Sequence, residues 1–529
     1  MSVRGLRRFA APAAVLGLAA ALYAGSLAHG FAHDDTPLLL RNPFVRDPAH
    51  WMRLLRTDYW APTLESGLYR PLASLSYALN FGLGGDRPLG FHAVNVALHA
   101  GVSALVWALV RRLTGDPSLA LVTGLLFAAH AVHTEVVANV TAGRPELLAA
   151  TFLLLSLHAH LAAEGASRAR ARRRRGWAVA CFALALLCKE SAVAWLGVVW
   201  LTDALYREGA ERPSLAAFGR ALGRRGATLY AAYGVAVLAW LGVRLLALGA
   251  DAGLPPPRVL DNPLVGLPVG WRLANAVGVL IRYAELLVLP LRLSYDYSYD
   301  QIPLFARAGP ELLRVLAALA AGAALAALAF RRSRDAFWGL AFCGLAIAVV
   351  ANLAFPIGTI LGERLLYLPS VGFCLLLALA LRRLAGGRQR LFAALAAGAV
   401  ALHGARALER VPDWRSEDAI WLHDVERVPR SARAQSNAGA VLERQGRCEE
   451  ALPRFDAAIA IGLPPHEFVH PYRGKAVCLA ALGRYAEAET LYRIAARHGE
   501  PHPELERRIR EGLRRAGVAG PAATATDVP

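Results

Sequence analysis

The sequence predicts an all-α protein, a polytopic transmembrane helical bundle followed by a small α-solenoid. Three observations carry this expectation. The chain has 529 residues, 56% of them hydrophobic, and its mean hydropathy is +0.37. Apolar runs of about 18–25 residues recur from residue 9 to residue 408, the length a helix needs to cross a hydrocarbon core of about 30 Å. Beyond that point the runs stop and an internal repeat begins. One such run reads as a buried core helix, but about ten to twelve in succession read as membrane spans.

The net charge is +18. Nucleic acid is not the expected partner, because the arginines sit in short clusters between apolar runs: Arg7-Arg8, Arg111-Arg112, Arg172 to Arg175, Arg224-Arg225, Arg331-Arg332 and Arg382-Arg383. That is the pattern of the positive-inside rule, with membrane lipid as the partner.

Spans are expected near 9–31, 91–111, 118–140, 145–163, 177–203, 227–249, 271–291, 309–330, 336–355, 365–381 and 390–408. The basic N-terminus precedes an apolar stretch read as an uncleaved first helix, although Ser26-Leu27-Ala28 also resembles a signal-peptidase site. A polar insert, 32–90, then forms the first exoplasmic loop. The stretch 177–203 carries Lys189-Glu190 at its middle, a pair costly to place in lipid. It is either one span, with 271–291 a second true span, or a broken hairpin, with 271–291 re-entrant or interfacial. Either way the tail emerges on the exoplasmic side. The membrane domain is expected over 1–410, helical repeats over 411–516, and a disordered tail over 517–529.

Ala438-Gly439, Leu442, Gly446, Ala451, Phe455 and Ala458 recur 37 residues on as Lys475-Ala476, Leu479, Gly483, Ala488, Tyr492 and Ala495. A TPR repeat has a period of about 34, and the loop Leu463 to Pro471 accommodates the excess. Trp414 to Val425 reads as a preceding partial repeat. Cys448 and Cys478 lie in this tail, where an exoplasmic setting permits a disulfide. The other cysteines lie in apolar runs, and no CxxC or Cys/His spacing points to a metal.

The chemistry-bearing residues gather towards one membrane face. His33-Asp34-Asp35 follows the first span; its acids are either solvated loop residues or a general base. Arg70 ends the insert and either snorkels to the interface or binds a phosphate. His92, Asn95 and His99 share one helix face, and His130, His133, Glu135 and Asn139 follow on the next run. Polar groups at that depth face a bundle interior or a cavity, where they serve interhelical hydrogen bonding or a substrate. Gly143-Arg144-Pro145-Glu146 is expected to be an exoplasmic turn. Lys189-Glu190, Glu363-Arg364 and the Tyr-rich loop with Asp296 and Asp300 complete the set.

The order of these motifs resembles the transmembrane and TPR repeat-containing (TMTC) proteins of the GT-C glycosyltransferase class: His33-Asp34-Asp35, Tyr69-Arg70-Pro71-Leu72, Phe91-His92 with Asn95, His130 to Glu135, Gly143 to Leu148, Cys188 to Ser191, and Glu363 to Ser370 before the repeats. The resemblance implies a membrane glycosyltransferase using a polyprenyl-phosphate-linked donor of a mannose-like sugar. The acceptor would be a hydroxyl of an exoplasmic protein or glycan. It implies Asp34 as the catalytic acid residue, supported by Asp35. By their chemistry, Arg70, His92, Asn95, His133, Glu135, Arg144, Lys189, Glu190, Glu363 and Arg364 are the candidate substrate- and phosphate-binding residues. No cofactor is required, since phosphate is already a good leaving group; a divalent metal is compatible with the reaction. The Ala- and Arg-rich composition suggests a bacterial source, with the chain in the inner membrane and the repeats in the periplasm. Two other readings stand beside this one: a non-catalytic scaffold recruiting partner proteins through its TPR repeats, and a lipid or solute transporter.

Overall fold

The computed structural model describes residues 3–207, 212–249, 253 and 256–516; the expected disordered tail, 517–529, lies outside them. Among the described residues the regular structure is helical throughout. The membrane domain comprises α1 (Val3–Tyr23), α2 (Pro71–Gly84), α3 (Pro88–Thr114), α4 (Pro117–Ala129), α5 (Val140–Ala162), α6 (Arg168–Leu186), α7 (Trp195–Thr202), α8 (Arg224–Leu248), α9 (Val269–Val288), α10 (Pro310–Arg332), α11 (Arg334–Ala348), α12 (Ser370–Leu384) and α13 (Gln389–Arg410). The tail comprises α14 (Glu417–Arg427), α15 (Ala432–Arg444), α16 (Cys448–Ala460), α17 (His470–Ala481), α18 (Tyr485–Arg497) and α19 (Pro503–Arg515).

Helix starts follow local chemistry. Asp116 accepts from the backbone N–H groups of Ser118 and Leu119 at the head of α4, with Pro117 in the first turn, where its missing N–H costs nothing. Asn139 caps α5, Ser333 caps α11, and Ser416 and Ser431 cap α14 and α15.

Among the described residues six helices are long and apolar enough to cross a membrane, or seven if Pro117–Ala129 and Ala131–Ala138, bent by 47°, make one span. Other apolar runs form shorter or interrupted helices, so fewer elements meet that length than the ten to twelve runs suggest. Span 118–140 breaks at His130, whose backbone leaves the helical region and whose side chain accepts from Val132 N–H. Runs 336–355 and 365–381 give helices of 15 residues each. The apolar exteriors face where lipid would be: only 6% of the α10 window and 11% of the α8 window are buried.

Contacts at helix ends define two faces. Thr141 at the head of α5 is held by Asp35, and Lys189 after α6 meets Glu146. The opposite ends of α5 and α6 meet where Arg174 donates to the Ala162 carbonyl. With 23 residues, α5 separates these ends by about 34 Å. The stretch 177–203 is a hairpin, not one span. It rises along α6, breaks at Lys189 and returns through α7 to Asp203, which pairs with His160 at the far end of α5 at 2.8 Å. Both ends of α9 lie on the first face. Asp261, ahead of it, pairs with Arg433, and Ser294, after it, donates to Asp424. Hence 269–288 has a re-entrant or interfacial disposition.

Arg111-Arg112, Arg168 to Arg175, Arg331-Arg332 and Arg382-Arg383 fall on the far face. The tail and the acidic first loop share the near one. A multi-pass membrane protein with this sidedness is the architecture the chain adopts.

In the tail, α15–α16 and α17–α18 are antiparallel pairs and α19 closes the stack. Phe455 packs against Gly439 and Gly474, so the repeated small residues give the ring its seat. Trp414 and Trp421 are fully buried at the junction with the membrane domain. All six cysteines are free, and Cys448 and Cys478 are buried in one apolar cluster without a bond between them.

Candidate active site at the near face

Two adjacent aspartates follow α1 and have opposite fates. His33 sits at φ +46°, a left-handed conformation that persists in a non-glycine residue only when its surroundings hold it. Its ring is held edge-on by Tyr295 and Trp421, with centroids at 5.1 and 5.2 Å. From this kink Asp35 turns inward and is 1% exposed. It accepts from Ala32 N–H at 3.0 Å, Thr141 N–H at 2.9 Å and the Thr141 hydroxyl at 2.7 Å. Burial pushes its pKa up to about 6 against the pull of those three donors. Asp34 turns outward. Its side chain is 27% exposed, with His33 at 3.3 Å and the Tyr295 hydroxyl donating at 3.2 Å.

Three cations lie around this loop, each on a carboxylate. Arg70 forks onto Glu190 at 2.9 and 2.5 Å and lies over the Tyr59 ring. Lys189 pairs with Glu146. Arg364 donates to Glu135 from its guanidinium at 2.6 Å and its backbone N–H at 2.8 Å. These pairs form one electrostatic neighbourhood: Lys189 interacts with Arg70, Glu190, Arg364 and Glu135, and Arg364 with Asp34. Arg364 is the most open cation, 29% exposed against 15% for Arg70 and 7% for Lys189. Below Lys189 and Glu146 lies a cavity walled by Ala149, Leu153, Ala346, Val350 and Leu365. A charged head stands over apolar walls here, and the enclosed space, about 20 Å³, has room for little more than a water until those walls part.

Glu363 is a separate case. It is 1% exposed. Ser294 N–H and the Tyr297 hydroxyl both donate to its Oε1, at 2.6 and 2.7 Å, and its Oε2 has no partner. Burial pushes its pKa up to about 8, opposed by Arg410. Both donors reach a single oxygen, and burial favours the neutral carboxyl.

Four candidates are engaged in the interior. Arg144 is 0% exposed and fully occupied, by Asn95, Ser76, Asn80 and the Phe91 carbonyl. Asn95 also donates to the Asn139 carbonyl, His92 meets the Gly30 carbonyl at 3.1 Å, and His133 meets the Ser370 hydroxyl at 2.8 Å. These contacts are those of interhelical glue. The turn expected at Gly143 to Glu146 lies inside α5. Pro145 leaves the Thr141 carbonyl without its helical donor, and the Tyr59 and Tyr77 hydroxyls take it at 3.1 and 3.2 Å. Gly143 is required because a Cβ there would overlap the Val136 carbonyl.

Sequence reasoning missed Tyr295 and Trp421. Tyr295 lies in the loop read for its acids, and Trp421 within the stretch read as a partial repeat. No group of three or more His, Cys, Asp or Glu residues is arranged to hold a metal ion among the described residues.

The fold and the site define a class: a polytopic helical membrane protein whose buried ion pairs, open acid and helical-repeat tail converge on one face. The chain is TMTC-like. It is 28% identical over 502 residues to mouse (Mus musculus) Protein O-mannosyl-transferase TMTC3, covering 91% of this chain and 54% of that protein. It is 30% identical to human (Homo sapiens) Protein O-mannosyl-transferase TMTC4, covering 84% of this chain and 65% of that protein. It is also 30% identical to Drosophila melanogaster Protein O-mannosyl-transferase Tmtc1, covering 82% and 59%. The chain thus spans little more than half the length of the TMTC3 and Tmtc1 relatives. No family model matches it, and no solved structure matches it.

Proposed function

We propose that the protein is a membrane glycosyltransferase that moves a mannose-like sugar from a polyprenyl-phosphate donor to a hydroxyl of a protein or glycan on the near, exoplasmic face. The activity for which the relatives are named, protein O-mannosyl transfer, supports the reaction class. The observation that carries the reading here is the open carboxylate of Asp34 within electrostatic range of Arg364, the most exposed of the three paired cations.

In this reading the donor's isoprenoid chain lies along Ala149, Leu153 and Val350. Its phosphate is received first by Arg364, with Lys189 and Arg70 adding positive potential from behind their carboxylate partners. Asp34 accepts the proton of the acceptor hydroxyl as that oxygen attacks the anomeric carbon. The bond from that carbon to the phosphate oxygen breaks, and polyprenyl phosphate leaves with the electron pair. The cations stabilise the charge that grows on the leaving group, and fixed neighbours do this without reorganising. Asp35 positions the loop, and the Tyr295 hydroxyl orients Asp34.

The test is transfer of labelled mannose from a polyprenyl-phosphate donor in proteoliposomes. Asp34→Asn removes the base and leaves the fold, so transfer falls at least about a hundredfold. Undiminished transfer by this variant would remove Asp34 from the chemistry.

A further inference from the structure

At the far face, α6 and α8 diverge and leave a groove lined by Arg172, Arg175, Val179, Thr228, Leu229 and Ala232. Its composition is graded. The first turns of α6 supply the arginines, and apolar side chains line the depth. Trp177, 60% exposed, stands on the adjoining turn, where an aromatic ring marks a membrane–water boundary. The outer face of α8 is bare apolar surface, so the groove opens sideways towards hydrocarbon. Its charges are under-compensated. Arg172 is exposed and has no carboxylate partner among the described residues, and Arg175 reaches only Glu164, at 3.8 Å, while its Nε is buried without a hydrogen-bond partner. Glu164 is shared with Arg207 at 3.5 Å.

We infer that this groove is a binding site for an anionic phospholipid of the leaflet opposite the candidate active site. Arg172 and Arg175 take the phosphate, and one acyl chain lies along Val179, Leu229 and Ala232. Charge complementarity commits the occupant. Two planar guanidinium groups line the same groove on the far face, beside an apolar wall suited to a hydrocarbon chain. A soluble phosphate satisfies the arginines and leaves the wall bare. The site lies the length of α5 away from Asp34, about 34 Å, so it is distinct from the donor cavity.

Native mass spectrometry of the full-length protein, released from micelles carrying equimolar phosphatidylglycerol and phosphatidylcholine, tests this. The wild type is expected to retain phosphatidylglycerol selectively. The double variant Arg172→Gln/Arg175→Gln should lose at least about tenfold of that retention. Ala232→Phe, which keeps both charges and obstructs the wall, should lose it as well. Arg331→Gln/Arg332→Gln, which removes two charges elsewhere on the same face, should not. Equal retention of the two lipids, retention unchanged in both groove variants, or an equal loss in the Arg331/Arg332 control would overturn the site.

Discussion

At the scale of single residues, the site turns on how neighbours of one chemical type are separated. Asp34 and Asp35 are indistinguishable by composition. The left-handed turn at His33 divides them into an open carboxylate and a buried anchor with three donors. Asp35→Ala strands the Thr141 donors and should cost about 1–3 kcal/mol in detergent unfolding. Asp34→Ala should stay within about 0.5 kcal/mol. The motif was therefore legible in the sequence but the division of labour was not, because it depends on Tyr295 and Trp421, which lie more than 250 positions away along the chain.

Glu363 gives a pH prediction at the same scale. Its folded pKa of about 8 lies above the ordinary 4.5. The folded state therefore holds a proton that the unfolded chain has already lost. This contribution to stability is full below about 4.5 and fades as pH rises through about 8. Glu363→Gln removes the titration, so the stabilities of variant and wild type should separate in the variant's favour as pH rises from about 4.5 to about 8. A constant difference across that range would contradict the assignment.

At the scale of elements, pattern and packing part company. The length of the apolar runs points to the helices of the bundle, because lipid demands long apolar surface. It did not reveal that α4 bends at His130, and it left the fold-back of 177–203 at Lys189 as one of two alternatives. At the breaks His130 meets the Leu287 carbonyl and Lys189 meets Glu146, contacts that join positions remote in sequence. The Arg364–Glu135 pair bridges the loop before α12 and the short helix before α5. Arg364→Ala leaves Glu135, 0% exposed, with only a backbone donor and should destabilise the protein by about 3 kcal/mol. Adding Glu135→Gln should recover most of that loss. Simple additivity in this double-mutant cycle would show that the pair does not couple the two elements.

At the scale of the whole molecule, the tail is part of the near face and not an appendage. Arg410, fully buried, joins Asp413 and Asp424 at 2.7 and 2.6 Å. Asp424 in turn accepts from the Ser294 hydroxyl and the Tyr295 backbone. Trp421 then closes over His33. The repeat was visible in the sequence because small residues recur where helices pack. The particular contacts that dock it were not, since they join residues remote in sequence, such as Arg433 with Asp261 and Asp296. One consequence concerns truncation. Deleting 411–516 removes the support of His33 and Tyr295, so transfer even to a small acceptor should fall to background. A tail that served recruitment alone would leave that turnover intact.

The most direct measurement of the central claim is an experimental structure of the Asp34→Asn protein with a polyprenyl-phosphate sugar in lipid nanodiscs. The account predicts the donor phosphate within hydrogen-bonding reach of Arg364, the sugar facing position 34, and the isoprenoid chain along Ala149, Leu153 and Val350. A donor phosphate seated away from Arg364, or a sugar remote from position 34, would contradict it.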